Sequence, residues 1–198
     1  MSIYRRWKAK LAVRKRLLAA AKKHDDRKLV KRRQKQVTKA ERVVKRHRPQ
    51  PLRLRALAVA KSKIGIVEVG GNNRGRDVEE IIKANGGVPG EPWCGDFVAY
   101  CYLKAGAKSV TRAWASVSLL GKVLSRVRQP KPGHVVRYNF DHTGLFYRWV
   151  NKSAGEFEAV EGNTGNVGAV SDSAHGGDGV KIKRRNISQV TDFRRVAR

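Results

Sequence analysis

Pro89-Gly-Glu-Pro-Trp-Cys-Gly-Asp-Phe-Val-Ala-Tyr-Cys-Tyr102 is the stretch on which the reading of this chain turns. Pro89, Gly90 and Pro92 force a turn that cannot be helical. Phe97, Val98 and Cys101 then recur at helical spacing, with Cys94 one turn ahead of Phe97 and Val98. Cys94 is therefore expected in the first turn of a helix that enters the core. Unpaired amide N–H groups and the positive end of the helix dipole favour a thiolate there. A cysteine so placed, behind a turn, meets the requirement for a nucleophile. The plainer alternative is a buried structural cysteine.

The second cysteine lies seven residues on, on the same helix face. Two turns separate the pair by ~10 Å, too far for a disulfide. The cysteines are not a staple and imply no oxidising compartment. With scattered histidines they offer no zinc spacing.

The charge is unevenly spread. The chain carries +28 over 198 residues, with a sequence pI near 11.0. Residues 1–55 hold 22 Lys or Arg against Asp25, Asp26 and Glu41, a net +19, and leave +9 for the rest. Such a block calls for an anionic partner: an acidic wall polymer, an acidic membrane surface or nucleic acid. No segment approaches the ~18 apolar residues of a membrane span. Leu17 to Ala21 is too short for the core of a standard signal peptide, so none is expected.

Residues 1–48 lack Gly and Pro and are rich in Ala, Leu, Lys, Arg and Gln, which predicts one long helix or two shorter ones. Trp7, Leu11, Leu18 and Ala21 form a narrow apolar stripe, and Val30, Val37 and Val44 recur every seven residues. Two readings stand: a solvated, partly disordered tail, or a basic amphipathic arm that orders on an anionic partner or on a second copy. Arg48-Pro-Gln-Pro-Leu52 reads as a stiff linker. The expected division is an arm over 1–48, a linker over 49–55 that overlaps the start of the next helix, and a catalytic domain over 56–198.

In that domain, helices are expected over Leu52–Ile64, with Leu54, Leu57, Ala58 and Ile64 inward, over Asp77–Ala84, and over Ala113–Val127. Pro130-Lys131-Pro132-Gly133 breaks the pattern. Strands then follow over His134–Phe140, Thr143–Val150 and Glu156–Val160, with weaker candidates over Val180–Arg184 and Asp192–Val196. Helices first and an antiparallel sheet after is an α+β pattern. Asn166 to Gly179 reads as a loop in which Asp172 and Asp178 serve turn chemistry, since their spacing is not that of a calcium loop.

A cysteine nucleophile needs a histidine, and the histidine needs an acceptor on its other nitrogen. His24 and His47 fall in the arm and His175 in the Gly-rich loop. His134 and His142 flank the first strand. His142 is preferred because it opens an alternating strand, Leu145, Tyr147 and Trp149 against Phe146 and Val150, and so has a fixed position. Glu161-Gly162-Asn163 follows the third strand, and its carboxylate or amide can hold the histidine tautomer; taken alone it is an ordinary turn.

These segments together resemble a known family. Pro92-Trp93-Cys94-Gly95-Asp96-Phe97-Val98 with Tyr100-Cys101 is similar to the nucleophile helix of the CHAP cysteine amidase/peptidase domains. These belong to the papain-like NlpC/P60 group that cuts bacterial peptidoglycan. His142-Thr143-Gly144 resembles the His-Val-Gly that carries the base, and Glu161-Gly162-Asn163 the Glu-Gly-Asn of CHAP domains. Glu68 and Asn72-Asn73-Arg74-Gly75 resemble the loop before the nucleophile, at low specificity. Pro132-Gly133-His134 departs from the pattern, which has Asp after Pro-Gly. The match spans roughly residues 52–198.

The resemblance implies a papain-like α+β domain with Cys94 as nucleophile, His142 as base and Glu161 as orienting acid. Trp93, Asp96 and Asn163 are the supporting or substrate-binding residues. It implies peptidoglycan as substrate, cut at an amide of the stem peptide or at its link to the glycan, with no metal or organic cofactor. A phage lysin or virion-carried wall enzyme, made in the cytoplasm, fits this pattern. The competing class is a nucleic-acid-binding or virion structural protein acting through its arm; a thiol peptidase acting on proteins would use the same residues.

Overall fold

The computed structural model describes residues 1–165 and 179–197. The expected loop over Asn166–Gly179, with Asp172, His175 and Asp178, lies outside them except for Gly179. The chain forms two compact units, Met1–Gln50 and Pro51–Arg198.

The first unit is a helical hairpin of α1 (Ile3–Lys23) and α2 (Arg27–Arg46). Ser2 caps α1 by accepting from the Arg5 amide at 3.4 Å, and Asp26 caps α2 by accepting from the Leu29 amide at 2.9 Å. Lys22, Lys23, Lys45 and Arg46 occupy the last turns, where cations suit the dipole. The seam follows alternating spacings of three and four: Tyr4, Trp7, Leu11, Arg14, Leu18 and Ala21 against Val30, Arg33, Val37, Ala40 and Val44. The thin stripe and the valine heptad thus meet each other across two helices. Only Ala21, Val37 and Ala40 are fully buried. Arg14 donates to the Gln36 carbonyl at 3.1 Å, and Lys15 pairs with Glu41 at 3.0 Å.

The second unit is α+β. It contains α3 (Leu52–Ser62), α4 (Arg76–Ala84), α5 (Cys94–Lys104) and α6 (Val117–Val123). Its strands are β1 (Ser125–Val127), β2 (Val135–Tyr138), β3 (Thr143–Asn151), β4 (Glu156–Glu161), β5 (Lys181–Asn186) and β6 (Val190–Arg195). They form one antiparallel sheet in the order β1-β6-β2-β3-β4-β5. Helix α3 already begins at Leu52, so the irregular stretch is shorter than the expected 49–55. Its inward face is Ala56, Leu57 and Ala60; Ala58 and Ile64 are exposed.

The helix expected over Ala113–Val127 breaks into a 3-10 turn (Arg112–Ala115), α6 and β1. Ser116 starts a new helix by accepting from the Leu119 amide, and Ser125 to Val127 pair with β6.

Helices α3 and α5 cover one sheet face, where Val135, Leu145 and Val160 join Leu57, Phe97, Val98 and Cys101. On the other face Phe146, Phe157 and Phe193 pack edge-on or tilted at 5.6–5.9 Å. A register shift in β3 between Phe146 and Arg148 brings Trp149 to the same face as Phe146, at 5.3 Å. Simple alternation, which opposes those two residues, fails at this bulge.

Candidate active site

Cys94 is the first residue of α5, as its position after Pro92 requires. First-turn amides have no partner within their own helix. The turn before it is pinned at several points. Asn73, in the left-handed region at φ 58°, donates from its side chain to the Gly90 carbonyl at 3.1 Å, and the Gly90 amide donates back to the Asn73 carbonyl at 3.1 Å. The Asn72–Gly75 loop is therefore a brace for the turn that precedes Cys94. The Trp93 indole is fully buried and donates to Glu68 at 3.0 Å. Asp96 is also fully buried, and it accepts from Asn85 at 2.7 Å and from Arg112 at 2.8 Å. Burial pushes the Asp96 carboxyl up, against the lowering effect of Asn85 and Arg112. Arg112 also reaches Glu91 at 2.7 Å.

His142 sits between β2 and β3. Its amide donates to the Phe140 carbonyl at 2.6 Å, and its carbonyl accepts from the Tyr138 amide at 3.1 Å. The three rings stack: Tyr138 on Phe140 at 5.1 Å, Tyr138 on His142 at 5.7 Å and Phe140 on His142 at 6.0 Å. The imidazole Nε2 lies 2.9 Å from Glu161 Oε2. Burial lowers the His142 pKa, but Cys94 and Glu161 outweigh it and raise the value to about 10. With Nε2 committed to Glu161, Nδ1 is the nitrogen left for Cys94, and it has no hydrogen-bond partner among the described residues.

Glu161 ends β4, fully buried. Arg185 of β5 grips it with two nitrogens, Nε to Oε1 at 3.1 Å and Nη2 to Oε2 at 2.7 Å. The Tyr138 hydroxyl donates a short hydrogen bond to Oε1. Burial alone would raise the Glu161 carboxyl; His142 and Arg185 hold it well below the usual carboxylate range. Burial and the Glu161 charge push Tyr138 the other way, so it stays a donor. The Arg185 guanidinium also lies 5.1 Å over the Tyr138 ring and 5.4 Å over Phe140. Charges thus alternate from His142 through Glu161 to Arg185, which is how buried charge becomes tolerable.

Two glycines make the approach. Gly144 stands opposite the end of β4, and a Cβ on it would lie 2.6 Å from Glu161 Cγ. A Cβ on Gly162 would lie 2.6 Å from Phe97 and 2.7 Å from Trp93. The glycines after His142-Thr143 and after Glu161 are therefore packing requirements of the site. Asn163 follows, buried and left-handed at φ 56°.

His134 lies elsewhere. Its Nδ1 accepts from the Lys131 amide at 3.2 Å. Burial, with Arg53, Lys131 and Arg195 around it, pushes its pKa down to about 4. Cys101 is fully buried and burial pushes its thiol up, so it is inert.

Of the six residues singled out from the sequence, His142 and Glu161 are hydrogen-bonded, and Cys94 is buried close enough to raise the His142 pKa. Trp93, Asp96 and Asn163 are buried around it. Arg185, Tyr138, Asn85 and Arg112 were not foreseen. The cue for Arg185 is indirect: a buried carboxylate at the end of β4 needs a cation on the next strand. Polarity misleads there, since β5 alternates in burial but Lys183 and Arg185 take the inward positions while Ile182 is 39 % exposed. Among the described residues no group of His, Cys, Asp or Glu could hold a metal ion, and no helix is long and apolar enough to cross a membrane. No family model, curated protein or solved structure matches the chain.

Proposed function

We propose that residues 51–197 are a papain-like cysteine hydrolase that cuts an amide bond of peptidoglycan. The observation that carries this reading is Cys94 at the start of α5, close enough to raise the pKa of a buried His142 whose Nε2 is held by Glu161. The Cys94 thiolate attacks the scissile carbonyl carbon and a C–S bond forms. First-turn amides of α5 stabilise the oxyanion. The His142 imidazolium gives its Nδ1 proton to the departing amine as the C–N bond breaks. Water then attacks the thioester, His142 takes its proton, and the thiolate leaves with the acid product. Glu161 stays ionised throughout and holds the imidazole. The substrate class rests on the likeness of the Cys94, His142 and Glu161 segments to CHAP domains, as does origin as a phage lysin or virion-carried wall enzyme.

Lysis of purified walls, followed by mass spectrometry of the released muropeptides, tests the reading. Products with one new amine and one new carboxyl at a stem-peptide or lactyl amide are expected. Intact walls after incubation with the wild-type enzyme, while a protein substrate is cut at a cysteine-dependent rate, would make it a protein peptidase.

A further inference from the structure

We propose that the outward face of α1 is a docking surface for an anionic membrane. The helical hairpin spends Trp7, Leu11 and Leu18 on its own seam, so they are not the face offered outward. A second apolar set is left on α1: Ile3, Val13 and Leu17 are 53 %, 55 % and 40 % exposed. At 3.6 residues per turn these three fall on one flank of the helix beside the seam. Arg6 and Lys10 are exposed among them. Helix α2 is as basic, but among its described residues no large apolar side chain is exposed.

The difference between the two helices selects the partner. A nucleic-acid backbone or a polyphosphate would use the cations of either helix and gains nothing from Val13 or Leu17. An anionic bilayer uses both features: apolar side chains enter the acyl boundary, while Lys and Arg stems extend to the headgroups. Three apolar residues give modest insertion alone, and the cations supply the rest of the attraction, so both parts are needed.

Cosedimentation of the full-length protein with phosphatidylglycerol–phosphatidylcholine vesicles tests the proposal, with pure phosphatidylcholine vesicles and duplex DNA as comparisons. Binding to the anionic vesicles is expected, with little to the zwitterionic ones. The double variant Val13→Gln/Leu17→Gln keeps good helix formers outside the seam and leaves the net charge at +28. It should weaken vesicle binding by about tenfold or more and leave DNA binding unchanged. Ala20→Leu, which adds an apolar group on the same flank, should strengthen vesicle binding by about fivefold. Unchanged vesicle affinity in the double variant, or in Ala20→Leu, would overturn the proposal. So would equal losses on DNA and vesicles in the double variant, which would make the surface a general polyanion binder.

Discussion

In the hairpin of residues 1–50, Arg14 and Arg33 occupy seam positions in a unit that carries 20 Lys or Arg against three acids. In the second unit, Arg185 occupies an inward strand position and Glu161 takes two of its nitrogens. The same residue type is a surface in one unit and an internal strut in the other. Counter-charge makes the difference. Glu161 allows Arg185 to be buried, and the pair then holds His142 in place. The hairpin has almost no acids, so its cations remain at the surface and give it a field more than a core. The two units should accordingly respond in opposite ways to the same perturbations.

The largest contrast concerns single atoms. Under the proposed mechanism, Cys94→Ala should lower wall lysis by about 10⁴-fold or more while the thermal transition is retained, because only a thiol at a helix end is removed. His142→Ala should be nearly as damaging, and the double variant little worse than either, since the two act as one unit. Cys101→Ala and His134→Ala should keep most activity. Turbidity clearance by the four purified variants is the measurement. Lysis that survives in Cys94→Ala, or that is lost in His134→Ala but kept in His142→Ala, would break the assignment.

The next contrast sets the two kinds of arginine against each other. Arg185→Leu strips a buried carboxylate of one of its two cations and leaves only His142, and should cost about 3 kcal/mol of stability. Arg185→Lys keeps the charge but loses the fork and should recover only part. Arg42→Leu, on the exposed side of α2, should change stability by less than about 0.5 kcal/mol. Denaturant midpoints decide this. Equal effects at positions 185 and 42 would mean that the buried grip on Glu161 carries no special energy.

Much of this arrangement was legible in the sequence where local chemistry is enforced. Pro92 before Cys94 sets the helix start, and the change to strands after Pro132-Gly133 fixes where His142 can stand. The valines on the α2 side of the seam stood out as a heptad, but the pairing of the two helices did not follow from it. What was not legible depends on contacts distant in sequence or on broken periodicity. The β3 bulge moves Trp149 onto the face of Phe146. Arg185 looks like one cation among many until β5 is laid beside β4, because its partner lies 24 positions earlier. Asn73 and Gly90, 17 positions apart, look like two separate turns until they are seen to hold each other.

A smaller effect should appear in the pH profile. Cys94 and Glu161 raise the His142 pKa to about 10. The charged imidazolium therefore persists through neutral pH. Its contribution to stability is complete below the ordinary histidine value near 6.5 and is lost as pH rises through about 10. The leaving amine needs that proton, so kcat/KM should fall on the alkaline side near the same value. Glu161→Gln removes one source of the upward shift and should move the alkaline limb of the residual activity to lower pH. A limb that stays in place would mean that Glu161 does not set the charge of His142.

The smallest expected effect is a null result. Deleting residues 1–50 should change the turnover of soluble muropeptide fragments by no more than about twofold, since the second unit has its own core and can be expected to fold alone. Pro51 remains to start α3, and Arg53 keeps its hydrogen bond to the Pro132 carbonyl at 2.6 Å, so the truncation removes no contact within that unit. The same truncation should abolish the steep salt dependence of binding to anionic surfaces, because the attraction of a +28 chain is screened within ~8 Å at physiological salt and most of that charge is removed. Fragment hydrolysis and vesicle binding, measured on both forms across a salt series, separate the two roles. If fragment hydrolysis collapses on truncation, the hairpin is part of the catalytic fold and the contrast between a surface unit and an internal one fails at its boundary.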